Sequence, residues 1–214
     1  MDRDEVWRTI DQQRAELADL METFTDADWE TSSLCEGWRI REVGAHLTLA
    51  QTGLLEALGA TVRARGNFNR MIHETAVRQA ERPVAEYPAA LRAMIGSRRK
   101  APFVSDLEPL IDQLVHGQDM LVPLGRTREM PHAAAAAAAQ RAWDLNWPFG
   151  VKRKVHGFSL SATDCPWTVG SGEVVEGPIR ALLMLVTGRL VVLPELSGPG
   201  ADELRARLQP SRVS

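Results

Sequence analysis

Apolar and polar positions alternate with the period of an α-helix through most of the first 146 residues. In residues 3–24, apolar side chains recur every three or four positions with charged residues between them, which is typical of a helix buried along one face. A second stripe begins at Ile40 and runs to Gly66, and glycine commonly ends helices. Residues 25–38 interrupt the period and predict a loop between the two helices.

Further helices are predicted along the rest of this region. One covers Phe68 to Ala80, a short one lies within residues 82–102, and another begins near Ser105, a good N-cap before Asp106 and Glu108. The helical pattern continues through residues 130–146, where seven consecutive alanines supply high helix propensity and almost no side-chain volume. Such a helix suits either close packing or an exposed position.

The pattern changes after Pro148. Short alternating segments at residues 158–162 and 167–169, with the turn sequence Gly-Ser-Gly-Glu at 170–173, predict a β-hairpin or meander. Helices are predicted within residues 177–189 and 201–208. The sequence therefore predicts a mainly α protein, with a helical-bundle domain in residues 1–148 and a small α+β domain in residues 149–214.

Charge and composition restrict the partners. The net charge of −3 comes from 25 basic and 28 acidic residues without a basic stripe, so neither nucleic acid nor an anionic membrane is expected as a partner. No long apolar run or secretory signal is seen, and we expect a cytoplasmic protein. Cys35 and Cys165 are far apart and form no Cys-x-x-Cys pair, which fits a reducing compartment and excludes a cysteine-based zinc knuckle.

Polar residues on two predicted helices indicate a metal site. Asp112, His116 and Asp119 fall on one strip of their helix, because they are spaced by four and three residues, and His46 lies at the margin of an earlier apolar stripe. Two imidazoles and a carboxylate suit a divalent zinc-like or other first-row metal with positions left open for substrate. Either Asp112 or Asp119 can supply the carboxylate, and ordinary solvated or core-edge roles for these residues are the alternative.

Three segments carry a family resemblance. "SLCEGWRIREVGAHLTLA" at residues 33–50, "LVHGQDMLVPLGR" at 114–126 and the tail at 157–189 together resemble the mycothiol-dependent maleylpyruvate isomerase family. This family is a branch of the DinB-like four-helix-bundle metalloproteins, and the resemblance spans nearly the whole chain. It implies a DinB-like bundle with His46, Asp112 and His116 as metal ligands. The family usually has a longer Glu at the position of Asp112, so the shorter side chain can move the metal, weaken its binding or pass the role to Asp119.

The resemblance also implies a chemistry. The family uses mycothiol, a low-molecular-weight thiol, as cosubstrate, and a bound divalent metal, with zinc as the first expectation, favours the thiolate form. An isomerase or S-transferase acting on a small electrophile, such as a maleylpyruvate-like conjugated acid, is therefore expected, as a monomer or homodimer. The alternatives are a metal-dependent hydrolase with a metal-bound hydroxide, for which Asp119 is the candidate base, and a non-enzymatic bundle that binds a small ligand.

Other residues are given roles beside the metal. We expect Asp119 to orient His116 or a bound water. We expect Arg189, on a C-terminal domain that packs over the open end of the bundle, to bind the thiol cosubstrate and to act in the site; capping of its own helix is the alternative. Cys35 is expected to be structural, and His73 to be a surface or packing residue.

Overall fold

The computed structural model describes residues 1–49, 68–100, 104–146 and 150–209 of the chain. It is mainly helical with a small sheet near the C-terminus, which confirms the predicted fold class. No helix in these ranges is both long and apolar enough to cross a membrane. The helices are α1 (Arg3–Met21), α2 (Asp26–Glu30), α3 (Ile40–Leu47), α4 (Phe68–Gln79), α5 (Tyr87–Arg92), α6 (Leu107–Leu121), α7 (His132–Leu145), α8 (Val151–Lys154), α9 (Ile179–Val186) and α10 (Ala201–Leu208), with 3₁₀ turns at Val84–Glu86, Val122–Leu124 and Leu190–Glu195.

Helix α1 begins and packs as its sequence predicts. The Asp2 carboxylate accepts a hydrogen bond from the Glu5 backbone, and the Glu5 side chain accepts one from the Asp2 backbone, which forms a reciprocal capping box. Apolar residues spaced by three and four positions are buried along one face, and this face packs against α5 and α6. The helix therefore forms one wall of the core that supports the site.

The predicted loop at residues 25–38 contains a short helix, so the loop prediction is wrong for residues 26–30. A capping box between Thr25 and Asp28 starts this helix, and burial of Trp29 holds it against the core. The remainder, which we call the Cys35 loop (residues 32–39), is closed by a β-bridge between Ser32 and Arg39.

Helix α3 passes very close to α2 and α5. A Cβ atom added at Gly44 would lie 2.9 Å from Trp29 and 3.3 Å from Tyr87, so only glycine fits at this contact. Ile40, Val43 and Leu47 are buried on the core side. Residues 50–66 of the predicted second helix lie outside the described residues.

Helix α6 has Asp106 as its N-cap, one residue after the predicted Ser105, and the Asp106 side chain makes no capping hydrogen bond. The Ser105 hydroxyl still accepts a hydrogen bond from the backbone N–H of Leu107 at 3.1 Å, so it satisfies one of the first helical donors. The helix packs against both α1 and α3, and its apolar residues Leu110 and Leu114 are completely buried. It therefore contacts two helices from the first 50 residues of the chain, α1 and α3.

The sheet differs in one respect from the predicted hairpin or meander. Its strands β1 (Phe158–Ala162), β2 (Thr168–Gly170) and β3 (Glu173–Gly177) have the order β2-β1-β3, with β1 antiparallel to β2 and parallel to β3. A hairpin of β1 and β2 forms, but the Gly-Ser-Gly-Glu segment joins two strands that do not pair. Gly172 has a φ of +123°, and an added Cβ would lie 1.9 Å from the carbonyl oxygen of Gly157, so glycine lets the chain pass to the other edge of β1.

The chain divides into two compact units, Asp2–Arg128 and Glu129–Ser214, with Met1 grouped with the second. The alanine-rich helix α7 belongs to the second unit and packs against α9. The division thus falls before this helix, whereas the sequence predicts a domain boundary after it, at 148/149. The buried face of α7 is made of alanines, whose small side chains give no indication in the sequence of the partner they pack against.

Candidate metal centre

Two histidines face each other where α3 contacts α6. The ring centroids of His46 and His116 are 5.0 Å apart and the rings meet edge to face. Val43 and Leu47 of α3 are buried beside His46, and α3 packs against α6, so His46 lies where the two helices contact each other. Both imidazoles are partly buried, so they are shielded from bulk water and still reachable from it.

Asp112 completes a group of three side chains of the types that bind metal ions. One ligand atom each of His46, Asp112 and His116 lies within 4.8 Å of the other two. The structure therefore brings together the three residues that the spacing and the resemblance single out. Two nitrogen donors and one oxygen donor match the ligand sets of zinc sites that keep a position open for substrate.

Asp119 lies behind His116 and is completely buried. Its Oδ2 atom is 2.8 Å from Nδ1 of His116, one helical turn away. With Nδ1–H donating to the carboxylate, Nε2 is the ring nitrogen left to bind a metal ion. A carboxylate in this position fixes the orientation and tautomer of the imidazole.

The two histidines have opposite electrostatic environments. Burial, with a smaller contribution from the nearby charge of His116, lowers the pKa of His46 to about 3. Burial also acts to lower the pKa of His116, but the hydrogen bond to Asp119 and the contact with Cys35 outweigh it and raise this pKa to about 10. At neutral pH His46 is therefore ready to act as a ligand, whereas His116 carries a proton that a metal ion must displace.

The Cys35 loop also contacts the site, which was not predicted from the sequence. The Cys35 thiol donates to Oδ2 of Asp119 at 3.1 Å, and its Sγ atom lies 3.7 Å from Nδ1 of His116. The backbone N–H of Leu34 also donates to the backbone carbonyl of Asp119, at 3.1 Å. The position of Cys35 in the same motif as His46 was the available signal, but only the fold shows that this loop reaches α6.

The same loop reaches the other histidine through Trp38. Its ring centroid lies 5.5 Å from that of His46, and its indole N–H donates to Nδ1 of His73 at 2.7 Å. His73 is exposed, as the sequence analysis expected of a surface residue, but it also holds the indole in place. One loop thus supports His46 on one side and His116 on the other.

Arg189 lies in the second unit, at the end of α9. Its guanidinium donates to the backbone carbonyl of Thr187, the C-cap residue of α9, at 2.6 Å. This contact resembles the alternative role predicted for Arg189, capping of its own helix.

Fold and site together define a class: a mainly helical protein with a histidine–carboxylate site where two helices meet. The family model described as the mycothiol maleylpyruvate isomerase N-terminal domain matches residues 10–164, more than half of the chain. The chain therefore belongs to the mycothiol maleylpyruvate isomerase family, and it is an enzyme, an isomerase.

Solved structures agree with this assignment at the level of the fold. A crystal structure of a histidine-to-alanine mutant of the mycothiol-dependent maleylpyruvate isomerase aligns with a TM-score of 0.63, 11% identity and 94% coverage of both chains. A second structure of the mycothiol-dependent maleylpyruvate isomerase aligns with a TM-score of 0.52 and 14% identity, over 88% of this chain and 90% of that one. A comparison with curated protein sequences finds no match.

Proposed function

We propose that this chain is a metal-dependent isomerase that uses mycothiol as cosubstrate and acts on a small electrophile, such as a maleylpyruvate-like conjugated acid. The observation that carries the proposal is the convergence of His46, Asp112 and His116 from α3 and α6, with ligand atoms within 4.8 Å of one another, in a chain of this family.

The donor set fits a divalent metal ion. Two imidazoles with one carboxylate are typical zinc ligands, and three protein ligands leave room for a substrate atom. Zinc is therefore the ion that we propose. When bound, it lowers the pKa of a coordinated thiol and so supplies a thiolate at neutral pH.

The protein's own groups prepare this site. His46 offers a neutral imidazole, since its pKa is about 3, and Asp119 holds His116 through Nδ1. We propose that Asp119 acts by positioning His116. The hydrolase alternative would need Asp119 as a general base, and its complete burial argues against access by a substrate water.

The proposed reaction is reversible addition of the thiol to a conjugated cis alkene. The S–H bond and the C=C π bond break while a C–S bond and a C–H bond form, and the remaining C–C single bond then rotates. Elimination breaks the C–S bond and a C–H bond and restores the double bond and the free thiol. Release of the adduct before elimination would make the enzyme an S-transferase. Both outcomes require the same bound thiol.

Removal of either imidazole tests the proposal. We expect His46→Ala and His116→Ala each to lose most of the bound metal after dialysis, measured by elemental analysis, and to lose thiol-dependent isomerisation. The matched control is His132→Ala, which removes an exposed imidazole from the second unit. Full metal content in either site variant would contradict the ligand assignment, and turnover without added thiol would contradict the cosubstrate.

We also propose that Arg189 binds the thiol cosubstrate. A guanidinium carries a fixed positive charge, and its planar N–H donors match a carboxylate or a sugar hydroxyl. Arg189→Ala is expected to keep its metal and to raise the KM for the thiol. Unchanged KM in this variant would leave Arg189 with its capping role alone.

Cytoplasmic location and a monomeric or homodimeric state remain predictions.

A further inference from the structure

A second group of ligand-type atoms lies on the other side of His116. Oδ2 of Asp119 lies 2.8 Å from Nδ1 of His116 and 3.1 Å from Sγ of Cys35, and this Sγ lies 3.7 Å from Nδ1 of His116. The three residues form a second cluster with metal-ligand spacing. They come from the Cys35 loop and from α6. Asp119 is completely buried, whereas Cys35 and His116 are partly exposed, so an ion from solvent can reach the cluster.

We propose that Cys35, His116 and Asp119 form a separate binding position for a soft, thiophilic divalent cation such as Cd²⁺. Thiolate sulfur is the ligand that soft ions prefer, and the His46–Asp112–His116 group contains none. Three ligands of a tetrahedral zinc ion lie about 3.3–3.8 Å apart, as bond lengths of about 2.0–2.3 Å require, and the longer bonds of Cd²⁺ need a somewhat wider set. The 3.7 Å between Cys35 and His116 already lies within the zinc range, whereas Asp119 must withdraw by at least about 0.5 Å from His116 and about 0.2 Å from Cys35.

Binding there replaces protons and hydrogen bonds. The cation takes the place of the proton on the Cys35 thiol, which passes to solvent, and of the proton on Nδ1 of His116. The hydrogen bonds that Asp119 accepts from Cys35 and from His116 are lost. Harder ions gain too little from a thiolate to offset this loss, and so the position selects soft ions.

The two positions exclude each other through His116. A neutral imidazole has one lone pair, so an ion bound at Nδ1 requires the ring proton to move to Nε2, the nitrogen proposed for the catalytic metal. A soft cation at the Cys35 position therefore displaces the resident ion. This competition rests on the proposed function, whereas binding of the soft cation does not.

Cadmium titration of the full-length, metal-free protein tests the proposal, read by the near-ultraviolet thiolate-to-cadmium charge-transfer absorbance. We expect the wild type to develop this absorbance with about one equivalent of Cd²⁺. Cys35→Ser keeps a hydroxyl donor for Asp119 and should show none, and Cys35→Ala provides a second variant. Cys165→Ala is the matched control and should behave like the wild type. His46→Ala should also keep the absorbance.

Absence of the absorbance in the wild type, or its persistence in Cys35→Ser and Cys35→Ala, would overturn the proposal. Its loss in His46→Ala would assign Cys35 to the same ion as His46 and would also overturn it. In zinc-loaded protein, release of about one equivalent of zinc should accompany the absorbance. Absorbance without zinc release would refute the competition. If the proposed function fails instead, zinc binding and thiol-dependent turnover will be absent while the cadmium absorbance remains.

Discussion

Replacing Asp119 by Asn should change the number of protons released when the protein binds a metal ion. The substitution keeps the size of the side chain and an oxygen acceptor for Nδ1–H of His116, and it removes the charge. In the wild type this carboxylate lies 2.8 Å from the imidazole and is completely buried, so little water screens the pair.

The expected magnitude follows from the two histidine pKa values. At about pH 7, His116 with a pKa of about 10 is almost fully protonated and releases about one proton on binding, whereas His46 with a pKa of about 3 releases none. Because metal binding expels a proton, wild-type affinity should rise about tenfold per pH unit near neutrality. In Asp119→Asn the pKa of His116 should fall to or below 6.5, so its release at about pH 7 drops to about a quarter of a proton or less.

Isothermal titration calorimetry with zinc in two buffers of different ionisation enthalpy measures this number. Comparison of the two proteins at one pH cancels the protons released from metal-bound water. Glu36→Gln is the control, since Glu36 is an exposed carboxylate in the same loop and its removal changes the net charge equally. Equal proton release by wild type and Asp119→Asn would refute the argument.

Two further predictions concern stability. Gly44→Ala places a methyl group 2.9 Å from Trp29 and should destabilise the protein by about 1–3 kcal/mol, seen as a lower urea midpoint; an unchanged midpoint would show that α3 can shift away. Gly172→Ala forces a side chain onto a backbone with φ of +123° against the carbonyl of Gly157 and should cost about 1–3 kcal/mol or more. Thermal unfolding followed by circular dichroism measures this loss, and wild-type stability would refute the close approach.

The sequence predicted the helices well because their buried stripes are regular. Helix α1, for example, buries Val6, Ile10 and Leu17, which the three- and four-residue spacing singles out. The predictions failed where the decisive contacts are distant in the chain. The short helix α2 depends on burial of Trp29, and β3 pairs with β1 although β2 lies between them in sequence.

The candidate site was predictable to a similar extent. The spacing of Asp112 and His116 on one helix, joined to His46 by the family resemblance, identified three side chains that the fold brings together. It did not identify Cys35, because periodicity describes one element at a time and the thiol meets Asp119 through a loop of no regular structure. The pKa difference between the two histidines was likewise invisible, since it depends on burial and on the contact with Asp119.

The contact between the Cys35 loop and α6 has a consequence for synthesis of the protein. Cys35 and His116 are 81 residues apart, and the chain emerges from the ribosome N-terminal end first. His46 and Cys35 are therefore exposed for several seconds before Asp112, His116 and Asp119 exist, at roughly 5–20 residues per second. During that interval no complete metal site is present, so a nascent chain cannot trap an ion in a half-formed core. Loading of the proposed metal must follow docking of α6, so a bound ion would mark chains in which the first unit, Asp2–Arg128, has folded.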